Sequence, residues 1–429
     1  MKLIEHKNEN HQEIFKMELE TEEIEDMLKD AYQQLVKEVD VDGFRKGKAP
    51  RDVFERHVGK DALFDHAMKE YLPVMVDEMM VENKIKAYAT PTIKIVSRDP
   101  VVFETVVPLP PDVTLGDCNS IKMKPNPVEV TGNQVDDILK HAQHQDAELA
   151  VKDAPAEMED VLYLDVESDI EGEPYIVANG DMFQLKPGLR FPAPGFAEEL
   201  VGMKPGDEKE FTLKLPDTYA KEIAGKEAHF SVKVSDVRRE VLPELNDDFA
   251  RKLDPDSDGI AAVRQNVYDN LLLRAEENEN KVFEGKVIDA LVEKSQIAFP
   301  PVMLENEVER MVREYVDRVH DSVKSDEEFD SIMNSTDADK LRENYRPQAE
   351  QRVKRNLVVS KFVEEEKIEV AEDEIDIQIA DIMAGAGDQP KEMQERHAHL
   401  NKPENREILR WGLITNKAKR MLVDKAKAD

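Results

Sequence analysis

A chain of 429 residues with 93 acidic and 59 basic side chains carries a formal charge of −34, so most of its surface repels polyanions and any nucleic-acid contact needs a local basic patch. At roughly 100–200 residues per domain the length predicts two to four domains, and 35% charged residues with only 6% aromatics favour long helices over a compact barrel enzyme. The single Cys118 excludes an intramolecular disulfide framework, and no apolar run approaches a secretory core or the ~18 residues of a membrane span, so a cytoplasmic chain without membrane contact is expected.

In chain order, Phe15 to Leu19 alternates apolar and charged residues, which predicts a half-buried strand. Thr21 then suits the cap of a helix whose apolar residues Ile24, Met27, Leu28, Ala31, Leu35 and Val39 recur at helical spacing. After a glycine-bearing stretch, Pro50 suits the start of another helix, and a second helical run covers Ala62 to Val81. Residues 92–97 and 101–107 read as strands about a turn at Pro100, which closes a small α+β domain over residues 1–112. Residues 113–151 read as a connector, a strand followed by a helix. Residues 152–243 alternate apolar and polar side chains between Gly- and Pro-containing turns and form a β-rich domain. From 244 to 429 the chain is helical, with at least four long helices over 261–294, 301–320, 345–366 and 404–426. The predicted fold class is therefore multidomain α+β: α+β, then β-rich, then all-α.

The stretch "VDGFRKGKAP", residues 41–50, concentrates cations in an acidic chain. Gly43 is placed to cap the preceding helix in the left-handed conformation, Gly47 loosens the turn and Pro50 opens the next helix. A helix–helix tip of this kind presents Phe44 outward among Arg45, Lys46, Lys48 and Arg51, four cations able to meet phosphates beside an aromatic able to fill an apolar niche on a protein. The competing reading folds Phe44 back onto the helices as a hydrophobic staple. "GFRKGKAP" resembles the Gly-Phe-Arg-x-Gly-x-x-Pro signature of the trigger factor family of ribosome-associated chaperones, and the resemblance extends over essentially the whole chain in domain order.

That resemblance implies an N-terminal ribosome-binding domain, an inserted FKBP-like domain and an all-α C-terminal domain with helical arms. It implies that Gly43, Phe44, Arg45, Lys46, Gly47 and Pro50 form the ribosome-binding tip, docking on an exit-tunnel protein and adjacent rRNA. It also implies nascent and unfolded polypeptides as partners and a homodimer when the chain is free. A screening length of about 8 Å lets a cationic tip act while distant acids are damped.

"PGFAEELVGMKPGDEKEF" resembles the Pro-Gly-x-x-x-x-(Leu/Ile)-x-Gly-Met-x-x-Gly-(Asp/Glu) stretch of FKBP-type prolyl isomerases, carried by Gly195, Phe196, Leu200, Gly202, Met203, Gly206 and Asp207. The resemblance places a prolyl groove at Tyr175, Phe183, Phe196, Tyr219 and Phe230. It departs from the family pattern at Val166, where an aromatic is usual, and after Tyr175, where an acid is missing. Rotating an Xaa–Pro amide meets a barrier of roughly 18–20 kcal/mol set by resonance, and a dry apolar pocket favours the twisted state without acid, base or metal. The same aromatics equally suit a plain β-domain core that serves as an extra peptide-binding surface.

Met303, Leu304, Val308, Met311 and Val312 form an apolar helical stripe suited to packing, and to plastic client contact in a cradle. No Walker-type loop occurs, so binding and release are expected to run without nucleotide or other cofactor. His141 and His144 on a helix, and His397 and His399 in a loop, lack the further ligands of a metal site, and Cys118 lacks a neighbouring base. Two functional classes remain: a chaperone that holds emerging chains, or primarily a prolyl isomerase with auxiliary binding domains. A coiled-coil scaffold is disfavoured because Pro300, Pro301, Pro347 and Pro403 interrupt the stripes.

Overall fold

The computed structural model describes residues 1–216, 219, 223–323, 325–385 and 390–427, without the side chains of 327, 328, 390 and 391. They form two compact units, Met1–Asn126 together with Asn280–Asp429, and Pro127–Glu279.

The first unit opens with β1 (Lys2–Glu9), β2 (Gln12–Glu18), α1 (Thr21–Leu35), α2 (Arg51–Val58), α3 (Lys60–Glu82), β3 (Thr92–Arg98), β4 (Val101–Pro108) and β5 (Asp112–Thr114). The first four strands make an antiparallel sheet in the order β1-β2-β4-β3. Phe15 and Met17 of β2 and Val101, Phe103 and Val107 of β4 face Met27 and Ala31 of α1 and Leu63, Ala67, Met68, Leu72 and Val76 of α3, all buried. Such apolar side chains contribute roughly 1.5–3 kcal/mol each when fully buried, so this layer dominates the domain's stability. Strand β1 was invisible to period-2 reasoning because all eight of its residues are exposed, leaving no apolar face to alternate. Helix α1 starts at Thr21, but its N-cap is Glu20 rather than Thr21 as predicted: the Glu20 amide donates to the Glu23 carboxylate at 2.9 Å, which satisfies a free helix-end donor.

The second unit contains α4 (Gly132–Gln145), β6 (Glu148–Val151), β7 (Val161–Ile170), β8 (Glu173–Gln184), α5 (Phe196–Leu200), β9 (Glu208–Lys214), β10 (Glu227–Val241), α6 (Asp247–Leu253) and the first part of α7 (Ile260–Lys294). The strand expected before α4 does not form, because Val130 has no strand to pair with and packs on Val135, Leu139 and Val263 instead. The sheet runs β6-β10-β7-β8 with β9 also on β10, so it begins at Glu148, ahead of the boundary at 152 read from the sequence. Strand β10 alternates from Glu227 to Val234, burying Ala228, Phe230, Val232 and Val234 in one core with Phe196, Ala197 and Leu200 of α5, and shifts register beyond Val234.

The chain then returns to the first unit with β11 (Gln296–Ala298), α8 (Pro301–Ser322), α9 (Asp326–Ser335), α10 (Ala338–Glu366), α11 (Glu372–Ala384), α12 (Pro390–Leu400) and α13 (Pro403–Ala426). Phe283, Val287 and Leu291 of α7, Val358, Val359 and Phe362 of α10, and Ala418, Leu422 and Ala426 of α13 form one buried core, joined by Ile121. Strands β5 and β11 pair beside it. Pro300, Pro301 and Pro403 sit at helix starts, but Pro347 lies inside α10, contrary to the expected interruption. The missing amide is offset chiefly by packing of Ala349 against Val308 and Met311 of α8, with the half-exposed Arg342–Glu309 (2.7 Å) and Arg346–Glu305 (2.8 Å) pairs adding little. His397 and His399 are on α12, not in a loop.

Candidate functional site

The connection between α1 and α2 is anchored at its base and free at its tip. Helix α1 ends at Leu35 with Val36 in the right-handed conformation, its amide bonded to the Tyr32 carbonyl at 2.9 Å. Gly43 is therefore not the helix cap predicted from the sequence; its φ of +85° and the +75° of Gly47 instead shape two turns of the loop itself. Val36, Val41 and Ala49 are buried against Phe54, the Gly47 amide donates to the Val36 carbonyl at 2.8 Å, and the Tyr32 hydroxyl donates to the Ala49 carbonyl at 2.6 Å. Pro50 is the N-cap of α2, and its carbonyl accepts from Phe54 at 2.9 Å.

With its neighbours pinned, Phe44 is left 43% exposed and joins no core cluster, so the staple reading fails. Arg45, Lys46 and Lys48 surround it and are exposed. Lys46 meets Asp40 at 3.2 Å, both largely in solvent, while Arg45 and Lys48 have no acidic partner within ion-pair distance among the described residues. Arg51, predicted to be a fourth phosphate-seeking cation, is committed elsewhere: it holds Glu55 at 2.6 Å and Glu25 at 3.0 Å and thereby ties α2 to α1. The tip thus offers three cations and one aromatic.

In the second unit the sheet and α5 gather the five aromatics singled out in the sequence. Phe196 and Phe230 are fully buried, with centroids 5.1 Å apart, and form a floor. Phe183 meets Phe196 at 5.1 Å and Tyr175 meets Phe230 at 6.4 Å, both edge-on, as aromatic quadrupoles prefer. Tyr219 packs on the same cluster. Tyr175 donates its hydroxyl to the Pro192 carbonyl at 3.0 Å, and Tyr219 donates to the Arg190 carbonyl. Burial, and then the neighbouring Tyr219, pushes the Tyr175 phenol above its usual range, keeping it a neutral donor. Phe211 was overlooked: it stacks on Phe230 at 5.5 Å, and the alternation of "EKEFTLK" already placed it on the inner face with Leu213. Val166 is buried opposite Val232 on the same face and fills the floor without a ring.

At the base of this sheet Asp160 is buried yet charged. Burial alone would raise its carboxyl, but Lys152 at 2.5 Å, the Glu157 amide at 2.8 Å and Arg239 at 3.2 Å hold it below the usual carboxylate range. A cavity of about 630 Å³ is lined by outward-facing Glu167, Asp169, Glu210, Thr212, His229 and Ser231 and is also bordered by Phe211 and Phe230.

In the helical part, Val308 and Met311 of the predicted stripe are buried against α10, with Leu304 and Val312 beside them, so these form the core of the α8–α10 pair. Exposed apolar surface appears instead at Ile377 on α11 and at Ile408 and Trp411, one turn apart on α13. A hollow of about 670 Å³ between α11 and α12 is lined by Ile379, Ala380, Met383 and Met393. His144 donates from Nδ1 to a carboxylate oxygen of Glu240 at 2.8 Å, and no group of three or more metal-ligating side chains occurs among the described residues. Cys118 is half-buried, its thiol pushed up by that burial.

Family models described as "Bacterial trigger factor protein (TF)" and "Bacterial trigger factor protein (TF) C-terminus" match residues 1–142 and 259–424. The chain is 35% identical over 410 residues to the trigger factor of Dehalococcoides mccartyi strain CBDB1, covering 95% of this chain and 91% of that one. It is 30% identical over 375 residues to that of Staphylococcus carnosus, covering 86% and 85%. It is 34% identical over 375 residues to that of Bacillus cytotoxicus, covering 85% and 87%. A solved structure from "Promiscuous Substrate Recognition in Folding and Assembly Activities of the Trigger Factor Chaperone" aligns over the full length of both chains at 19% identity and a TM-score of 0.49.

Proposed function

Because the chain belongs to the trigger factor family of cytoplasmic, ribosome-associated chaperones with an FKBP-like prolyl isomerase domain, we propose how its own residues divide that work. The family binds ribosomes and nascent chains. In this chain, residues 1–112 form the docking domain, with Gly43 and Gly47 shaping the tip and Pro50 launching α2. Phe44 fills an apolar niche on an exit-tunnel protein, while Arg45 and Lys46 meet adjacent rRNA phosphates. Residues 113–147 connect, 148–243 carry the isomerase with β6 in its sheet, and 244–429 hold unfolded segments without nucleotide. The observation that carries this reading is an exposed aromatic among exposed cations on a molecule of charge −34. Replacing Phe44, Arg45 and Lys46 together by alanine abolishes co-sedimentation with ribosomes while the circular dichroism of the chain is retained; a triple variant that still co-sediments overturns it.

The prolyl groove is lined by Tyr175, Phe183 and Tyr219 over the floor of Phe196 and Phe230. A client prolyl ring bound there loses water, and the twisted amide, having lost resonance, is less penalised by the apolar surroundings than the planar one. Full-length protein therefore accelerates a proline-limited refolding reaction; no acceleration leaves the fold as a binding surface only. Chaperoning and isomerisation separate on a denatured client with few prolines, whose aggregation is suppressed by holding alone. Off the ribosome, exposed Ile408 and Trp411 favour a homodimer, which mass photometry resolves from a monomer.

A further inference from the structure

Both hydroxyls on the rim of the aromatic groove are engaged by the protein's own backbone. Tyr175 donates to the carbonyl of Pro192 at 3.0 Å, and Tyr219 donates to the carbonyl of Arg190. A phenol has one proton to donate, so a client carbonyl can claim either hydroxyl only when this segment lets it go. The clamped segment is itself an aromatic–prolyl sequence, Phe191–Pro192, with the proline buried and Phe191 68% exposed. An apolar residue ahead of a buried pyrrolidine, with its flanking carbonyls held by donors, is also what a client would present to a prolyl site.

The core holds the segment chiefly at its ends. Leu185 and Ala193, both fully buried, fix its two ends, while Lys186, Pro187, Gly188, Arg190 and Phe191 between them are exposed. Gly188, at φ +73°, gives the backbone its freedom near the middle. We infer that Arg190–Phe191–Pro192 is an internal competitor for the prolyl groove, a strap that holds the rim hydroxyls at rest and yields to an Xaa–Pro segment of a client. This rests on the prolyl-groove reading given above. The consequence is selectivity by tethering. A short free peptide meets a groove that is mostly occupied, whereas a client already held elsewhere on the chaperone competes at millimolar effective concentration and displaces the strap.

The test uses the full-length chain and a tetrapeptide with a central Phe–Pro bond, followed by titration for binding and by NMR exchange for cis–trans turnover. Pro192→Ala removes the internal pyrrolidine ring, and Phe191→Gly loosens the strap at an exposed position that the core does not need. If the groove is open about one-tenth of the time, each variant tightens peptide binding by up to about tenfold and raises turnover at low peptide in proportion. Wild-type-like binding and turnover in both variants shows a fixed wall and overturns the strap while leaving the prolyl groove standing. Weaker binding in both shows that the segment serves the client directly and likewise overturns it. Absence of binding and turnover in wild type and both variants overturns the groove reading and the strap together.

Discussion

Replacing Arg45 and Arg51 separately by alanine should give opposite signatures, although the two lie six positions apart in the same basic stretch. Arg45 is exposed without an acidic partner among the described residues, and Lys46 and Lys48 lie beside it, whereas Arg51 is held by Glu25 and Glu55. With exposed Lys48 joining Arg45 and Lys46, three phosphate contacts predict a plot of log affinity against log salt with a slope of roughly −2 to −3, so wild type loses about 30-fold in ribosome affinity between 50 and 200 mM salt. Arg45→Ala should flatten the slope by about 0.7–0.9, cutting that loss to about tenfold. Arg51→Ala should leave the slope alone and instead destabilise the α1–α2 junction by up to about 1 kcal/mol, since the pair is partly exposed. Phe44→Ala should cost about 2 kcal/mol, close to 30-fold, equally at every salt concentration, because an apolar anchor releases no counterions. The assay is fluorescence titration of labelled full-length protein with ribosomes over a salt series. A flat wild-type slope, or an Arg51→Ala variant that flattens it as much as Arg45→Ala, refutes the assignment.

Asp160→Asn should destabilise the second unit by about 1–3 kcal/mol at pH 7, because it removes the buried partner of Lys152 and leaves that cation and the half-exposed Arg239 only the exposed Glu157. Since the folded-state pKa of Asp160 is depressed, its contribution is present above the unfolded value of about 3.9 and fades as pH falls through the folded value; acid titration by circular dichroism should show that loss in wild type and not in the variant. Gly116→Ala should cost about 1–3 kcal/mol in thermal unfolding, since an added Cβ would lie 2.6 Å from Lys294 Cβ and 2.7 Å from its carbonyl oxygen. Trp411 is the sole tryptophan and half exposed in the single chain, so at concentrations dilute enough to keep the protein monomeric an unfolded client should blue-shift the emission, and a spectrum that stays unchanged places the client elsewhere.

The elements with a clean period were legible in the sequence. Strand β10 and helices α7, α8, α10 and α13 follow from alternation or helical spacing, whereas the residues alone leave Phe44 open between an exposed tip and a staple, and only the family resemblance favours exposure. What escaped was set by partners distant in sequence. Strand β1 has no buried face, Val130 was read as strand until its helical neighbours were seen, and Arg51 looked free until Glu25 and Glu55 were brought to it. Pro347 is a breaker by local rules, overridden chiefly by the apolar contacts that bind α10 to α8. In the groove, sequence resemblance named the rings, but only the fold revealed that Tyr175 and Tyr219 already hold Pro192 and Arg190.

Strand β10 has a corollary for how such a protein is assembled from parts. Its last residues pair antiparallel with β6, Arg238 opposite Val151 and Val241 opposite Glu148, so the polypeptide arrives at the sheet and departs from it a single strand spacing apart, near 4.8 Å. Stitching residue 147 directly to 242 with a few glycines would excise the aromatic module while sparing the α4–α7 contacts of Val135, Leu139 and Val263. The same doorway would admit a foreign module whose own termini lie side by side, making this stem a ready socket for grafting.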